Sequence, residues 1–206
     1  MISDEELFRQ WQHGNAEALE ELVQRYSHAL FDYLYRLVGQ VQSAEDLVQE
    51  TFVSLVREAH SYCYPRPFAP WLYTIAHNLA RNDRMSAYRR HVDLGQALPE
   101  TPTSTLDPSE LVDRWARHDD LQMALQQLTF EQREVLSLRF GQEMPVQEVA
   151  DLLGIPAGTV KSRTFQALRI LRRYLESAPS NQAQGARGAG IDASRRSRAR
   201  VFSGQP

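Results

Sequence analysis

Hydrophobic residues recur every three or four positions in one segment of this chain after another, a spacing that predicts helices throughout. Ser3 followed by Glu6 reads as a capping box, and Leu7 and Trp11 begin a helix behind it. Asn15 caps a longer one whose Leu19, Leu22, Val23, Tyr26, Leu30, Tyr33, Leu34 and Leu37 form a broad apolar face, and Gly39 stops it. Ser43 opens a third, with Ala44, Leu47, Val48, Thr51, Phe52 and Leu55 inward and Asp46, Gln49, Glu50, Val53 and Arg57 outward. Residues 60–68, HSYCYPRPF, hold two prolines and two tyrosines and read as a loop of exposed aromatics. In the helix that follows, Pro70 suits the first turn, Leu72, Ile75, Ala76 and Leu79 pack inward, and Tyr73, Thr74, His77, Arg81, Arg84 and Tyr88 face outward, with Trp71 and Asn78 at the edge.

A linker comes next. Residues 96–108, QALPETPTSTLDP, are rich in Pro, Thr and Ser, and a dozen or so such residues span about 40 Å when extended. Asp107, Pro108 and Glu110 restart the chain, and Leu111, Trp115, Leu121, Leu125 and Leu128 describe a helix or a broken pair. Thr129 with Gln132 caps another, with Val135, Leu136 and Phe140 turned inward. Two short amphipathic helices then meet at a fixed turn. Val146, Val149, Ala150 and Leu153 make the stripe of the first, Gly154 ends it, and Pro156 takes the first position of the second. Val160, Thr164, Ala167, Leu168, Leu171 and Leu175 share one side of that second helix, while Ser162, Phe165, Gln166, Arg169 and Arg173 share the other, flanked by Lys161 and Arg163. The pattern is a helix-turn-helix. Strict alternation of the kind strands need is missing, so the fold class is all-α: two small helical domains joined by a flexible linker. The expected boundaries are 1–92 and 109–176 for the domains, 93–108 for the linker and 177–206 for a disordered basic tail.

Charge sharpens this picture. The 206 residues carry a formal net charge of only -3, but residues 1–60 hold eleven acids against four arginines. Residues 61–91 reverse the balance, with Arg66, Arg81, Arg84, Arg89 and Arg90 against Asp83, and residues 155–174 hold five basic side chains and no acid. An acidic surface repels DNA and suits a basic protein, which makes the face around Asp46 and Val53 a protein-binding candidate. Arginines among aromatics in residues 60–90 suit single-stranded nucleic acid, where bases stack on rings and guanidinium groups hold phosphates. The basic second helix suits a DNA groove, and Phe165, an aromatic on its outer side, can meet a thymine methyl.

Other chemistry is thinly represented. No run approaches the ~20 apolar residues of a membrane span, and MISDEEL is no signal peptide, so the protein is expected to be cytoplasmic and not inserted in a membrane. Cys63 is the only cysteine, and the six histidines form no H-x-x-x-H pair, so neither a metal nor a cofactor is expected. An enzyme using Cys63 as a nucleophile with His60 nearby is a rival reading, and no partner acid is evident beside it. A stand-alone helix-turn-helix regulator is the other reading left open.

The segments AEDLVQETFVSLVRE, PWLYTIAHNLARNDRM, LTFEQREVLSLRF and EVADLLGIPAGTVKSR, in that order and spacing, resemble the extracytoplasmic-function sigma factors of bacterial RNA polymerase over roughly residues 3–176. The resemblance implies a protein that binds core polymerase and directs promoter-specific initiation, and not an enzyme. Asp46, Gln49, Glu50 and Val53 would meet the polymerase clamp helices, and the flap is the other part of core polymerase that the resemblance implies as a contact. Tyr62, Tyr64, Arg66, Trp71, His77, Asn78, Arg81 and Arg84 would capture the melted -10 strand. Thr159, Lys161, Ser162, Phe165, Gln166 and Arg169 would read the -35 duplex, and the linker would follow the RNA path. An anti-sigma protein is a possible further partner. Three positions depart from the family pattern: Pro145 replaces a capping serine, Thr129 a frequent proline, and His77 a usual arginine.

Overall fold

The computed structural model describes residues 2–93 and 121–177 of the chain. The linker, Leu111 and Trp115, and the basic tail lie outside the described residues, as do the side chains of Tyr88 and Leu175.

Local signals set the helix ends. α1 (Asp4–Gln12) starts at Ser3, whose hydroxyl accepts the Glu6 N–H at 3.3 Å. The reciprocal half of the expected box is not made, because the Glu6 carboxylate instead receives Arg9 at 3.0 Å and Gln10 at 3.3 Å. α2 (Ala16–Val38) is capped by Asn15 and ends at Gly39, where φ of 78° lets the Gly39 N–H reach back to the Tyr35 carbonyl at 2.8 Å. α3 (Val41–Arg57) begins earlier than its serine suggests. Ser43 stands inside the first turn and donates to Gln40 Oε1 at 3.2 Å. A 3-10 turn (Ala59–Ser61) and a short loop lead to α4 (Phe68–Asp93), with Pro70 in its first turn. The first N–H of α4 finds its acceptor across the fold, at Glu5 Oε1, 3.1 Å away.

In the second unit, α5 covers residues 121–126 and α6 spans Phe130–Leu136. The Thr129–Gln132 capping box closes in both directions, at 3.3 and 3.1 Å. The helix then widens into a π turn, Ser137–Gly141. α7 (Val146–Leu153) starts at Pro145 without a side-chain cap and ends at Gly154, φ 63°. Pro156 sits just ahead of α8 (Ala157–Ser177), and its carbonyl accepts the N–H groups of Thr159 and Val160 at 2.8 and 3.2 Å.

The class is all-α, in two helical units, as the pattern predicts. The two units are packed together. Phe8, Leu22, Leu30, Leu34, Leu55 and Leu72 of the first unit are fully buried, and the same apolar core continues through Phe130, Val135, Leu138, Val149 and Val160 of the second. A smaller cluster of Leu125, Leu128, Leu136 and Ala167 ties α5 and α6 to α8. Two residues expected inside lie outside: Phe140 and Leu168 are 59% and 45% exposed. The π turn gives the reason for Phe140. Its wider winding shifts the phase of the helix, so Leu138 goes into the core and Phe140 swings out.

Candidate nucleic-acid and protein interfaces

α3 buries Ala44, Leu47, Thr51 and Leu55, and this fixes what its other side shows. Asp46, Gln49, Glu50 and Val53 are all exposed there. Val53 and its neighbour Val56 are each 48% exposed among carboxylates, a pairing that water alone does not reward. The side chains of Glu50 and Arg57 approach to 3.7 Å, an exposed pair of little energetic weight.

The aromatic region is divided. Tyr62 and Trp71, expected on a nucleic-acid surface, are each 5% exposed and pack around Phe8, with ring centroids at 4.9 and 5.2 Å. The reason is local: Trp11, Tyr62, Phe68 and Trp71 all converge on Phe8, and the Tyr62 hydroxyl donates to the Arg66 carbonyl, so the loop folds its first tyrosine underneath itself. What remains outside is Tyr64, 49% exposed, with the Arg9 guanidinium 5.1 Å over its ring, together with Arg66 and Cys63. Further along α4, Asn78, Arg81 and Arg84 are exposed.

His77 and Tyr73 go the other way. Both were expected to face outward, yet they are 4% and 2% exposed, covered by the second unit. Bulky and apolar residues occupy nearly every side of the first half of α4, from Phe68 through Trp71, Leu72, Tyr73, Ile75, Ala76 and Ala80. A helix greasy all round is one packed all round, and that signal was in the sequence.

Beside the apolar core that the two units share, the seam carries a set of polar contacts. Tyr73 donates to Gln142 Oε1, whose amide donates to the Ala29 carbonyl at 3.4 Å. Gln122 donates to the Tyr35 carbonyl at 3.2 Å, and Arg133 reaches the Leu37 carbonyl at 2.8 Å. Glu134, which no sequence pattern singled out, lies at the centre. Its Oε2 is 3.5 Å from His77 Nδ1 and its Oε1 is 3.5 Å from Arg163 of α8. The His77 contact lacks hydrogen-bond geometry, and Tyr33 Oη, His77 Nδ1 and Ser137 Oγ find no hydrogen-bonding partner in the protein. Burial pushes the Glu134 carboxyl up to about 7, against the pull of Arg163, and burial together with Arg81 pushes His77 down to about 4. At one end of the seam Arg84 pairs with Glu131 at 3.2 Å and lies 4.7 Å over the Phe130 ring.

α8 presents the third surface. Val160 and Ala167 are fully buried, and the opposite side leaves Lys161, Ser162, Phe165, Gln166 and Arg169 exposed, with Thr159 half-buried at its start. Phe165 is 69% exposed. Ser162 donates to the Thr159 carbonyl at 3.1 Å, so its hydroxyl lies along the helix. Arg163, a flank residue, turns toward Glu134.

Two family matches cover these same stretches: residues 22–91 match Sigma-70 region 2, and residues 124–173 match Sigma-70, region 4. The RNA polymerase sigma factor CarQ of Myxococcus xanthus is 34% identical over 163 residues, covering 79% of this chain and 91% of its own length. The chain belongs to the ECF RNA polymerase sigma factors. The ECF sigma factor BldN of Streptomyces coelicolor is also 34% identical, over 172 residues that make up 82% of this chain and 65% of that longer relative. Among solved structures, sigma factor RpoE of Bartonella quintana, in complex with the anti-sigma factor NepR, superposes with a TM-score of 0.67 at 23% identity, covering 80% of this chain and 100% of that one. Sigma factors regulate transcription and are not enzymes. Among the described residues of this sigma factor no helix is long and apolar enough to cross a membrane, and no group of His, Cys, Asp and Glu could hold a metal ion.

Proposed function

We propose that this sigma factor acts in the cytoplasm as a noncatalytic, promoter-reading subunit of RNA polymerase, with its contacts divided among three surfaces. Asp46, Gln49, Glu50 and Val53 of α3 bind core polymerase, an acidic rim around an apolar centre matching a basic protein partner. Tyr64, Arg66, Asn78, Arg81 and Arg84 hold the melted -10 strand, with Tyr62 and Trp71 as the packed floor beneath them and His77 excluded while the units are docked. Lys161, Ser162, Phe165, Gln166 and Arg169, with Thr159 at the helix entry, read the -35 duplex. The domains carrying these surfaces are residues 1–92 and 109–176. An anti-sigma protein is the class of partner that would restrain them, by analogy with the complex of the Bartonella relative.

The observation that carries this reading is the outer face of α8, where the most exposed large apolar side chain among the described residues, Phe165, stands among Lys161, Gln166 and Arg169 with no acid beside it. A solvated helix gains nothing from an aromatic there, whereas a major-groove reader does. Phe165→Ala and Gln166→Ala should each change preference at one or two -35 bases, worth about 1–3 kcal/mol at that position. Arg173→Ala, nearer the C-terminal end, should weaken all sequences alike and flatten the salt dependence. Selection from a randomised -35 library with the core-polymerase complex at several salt concentrations checks this. Unchanged base preference in the Phe165 and Gln166 variants would remove α8 from the reading role.

Geometry adds a requirement. Elements at -10 and -35 are separated by about 25 base pairs, or ~85 Å of duplex. In the docked protein α7 packs on α4 and α8 on α7, and two helix-packing steps amount to only about 20 Å. The units therefore have to part before both elements are read at once.

A further inference from the structure

We propose that α6 is an internal clasp that holds this sigma factor docked by occupying Arg84, a cation of the -10 surface on the other unit. Glu131 pairs with Arg84 of α4 across the seam, and Glu134, on the same seven-residue helix, lies 3.5 Å from His77 of α4 while it holds Arg163 of α8 within its own unit. The aromatic face of Phe130 adds a second hold on Arg84, so two neighbouring residues of the first turn of α6 grip one cation of the -10 surface. Arg84 is then held by a carboxylate where a phosphate would otherwise sit. The clasp is releasable by construction. Its outer pair is exposed, with Arg84 and Glu131 side chains 52% and 45% accessible, and its inner part leaves Tyr33, His77 and Ser137 with unpartnered polar atoms. Nucleic-acid phosphates compete directly with Glu131 for Arg84, so engagement of the strand and opening of the seam are the same event seen from two sides. By the reciprocity of linked equilibria, anything that loosens the clasp tightens strand binding by the same factor.

This rests on the assignment of Arg84 to the -10 surface, and the test separates the two. Glu131→Gln and Glu131→Arg change a half-exposed side chain on the first turn of α6, so folding is retained and circular dichroism verifies it. The full chain is labelled at Cys63, its only cysteine, and at an Asp151→Cys substitution on the exposed side of α7, and energy transfer between the dyes reports docking. Glu131→Gln should lower the docked-to-open ratio about threefold and Glu131→Arg about tenfold, the range that loss and reversal of an exposed pair produce. Affinity for a labelled random-sequence 12-nucleotide single strand should rise by the same factors, and Arg84→Glu with Glu131→Arg should restore docking without restoring strand affinity. Variants that stay docked, or that open without a gain in strand affinity, overturn the clasp. Strand binding by the wild type that is unaffected by Arg84→Gln in the open Glu131→Arg background overturns the assignment of Arg84, whatever the dyes report.

Discussion

The buried pair at the centre of the seam makes a prediction that neither partner makes alone. Glu134 and His77 have side chains only 7% and 5% exposed, and burial disfavours the charged form of each. Glu134 is raised from 4.5 to about 7, so it contributes stability below pH 4.5 that is lost as pH rises through about 7. His77 is lowered from 6.5 to about 4, so its contribution runs the other way, present above pH 6.5 and lost as pH falls through about 4. Each carries a span of about 3 kcal/mol, at about 1.4 kcal/mol for each pH unit. Between pH 4.5 and 6.5 the two slopes oppose each other, and the wild-type pair is close to pH-neutral.

Removing one partner exposes the other. In Glu134→Gln, stability relative to wild type should rise with pH, by about 2–3 kcal/mol from pH 4.5 to 6.5, because His77 titrates without compensation. In His77→Gln it should fall by a similar amount over the same interval. The charged neighbours, Arg81 and Arg84 of α4, Glu131 of α6 and Arg163 of α8, are common to all three proteins and drop out of the difference. Urea unfolding at half-unit pH steps measures it, and energy transfer across the seam measures the same linkage if the units part first. Parallel pH curves for the two variants would show that the pair is not buried together, and the docked arrangement would fall with it.

Two further outcomes follow from particular contacts. Asp46→Ala combined with Glu50→Lys should abolish copurification with core polymerase and leave helix content intact, since both residues are exposed and reversing the sign of the face reverses its attraction. Trp71→Ala should destabilise the first unit by about 3–5 kcal/mol, whereas Tyr64→Ala, at 49% exposure, should change urea unfolding little and reduce single-strand affinity instead.

What the sequence made legible was most of what depends on one segment at a time, although Ser43 lies inside α3 rather than at its start and the Ser3–Glu6 box closes in one direction only. Asn15, Gly39, Thr129 with Gln132 and Gly154 mark helix ends because each solves a backbone problem within four residues. The outer faces of α3 and α8 were readable for the same reason: a 3.6-residue period assigns both sides of a helix that has one buried face. The method fails where a helix has two buried faces. His77 faces Glu134 of a second unit some fifty residues later in sequence, and Tyr73 is wedged between Tyr33 of its own unit and Gln142 of the second. Phe140 was misplaced because a wheel drawn at constant period cannot anticipate a π turn. Tyr62 was misplaced because a loop gives no period at all, and its burial follows from the convergence of Phe8, Phe68 and Trp71 in space.

The same distinction explains why Glu134 escaped notice. A carboxylate in a helix that reads EQREVL looks like one more solvated acid, and nothing local says otherwise. Its burial becomes sensible only when α6 is seen as the element shared by both units: Val135 and Leu136 on one side fill the two cores, Arg133 donates to the carbonyls of Leu37, Leu125 and Leu128, and Glu134 is left facing His77 and Arg163. An apolar side chain there would seal the seam more tightly, since replacing a buried ion pair by well-packed hydrophobic residues is often stabilising. A carboxylate keeps the joint weaker and conditional on charge. On the proposed division of promoter contacts the two helices go from about 20 Å to ~85 Å apart, and a joint that holds without sealing suits that separation.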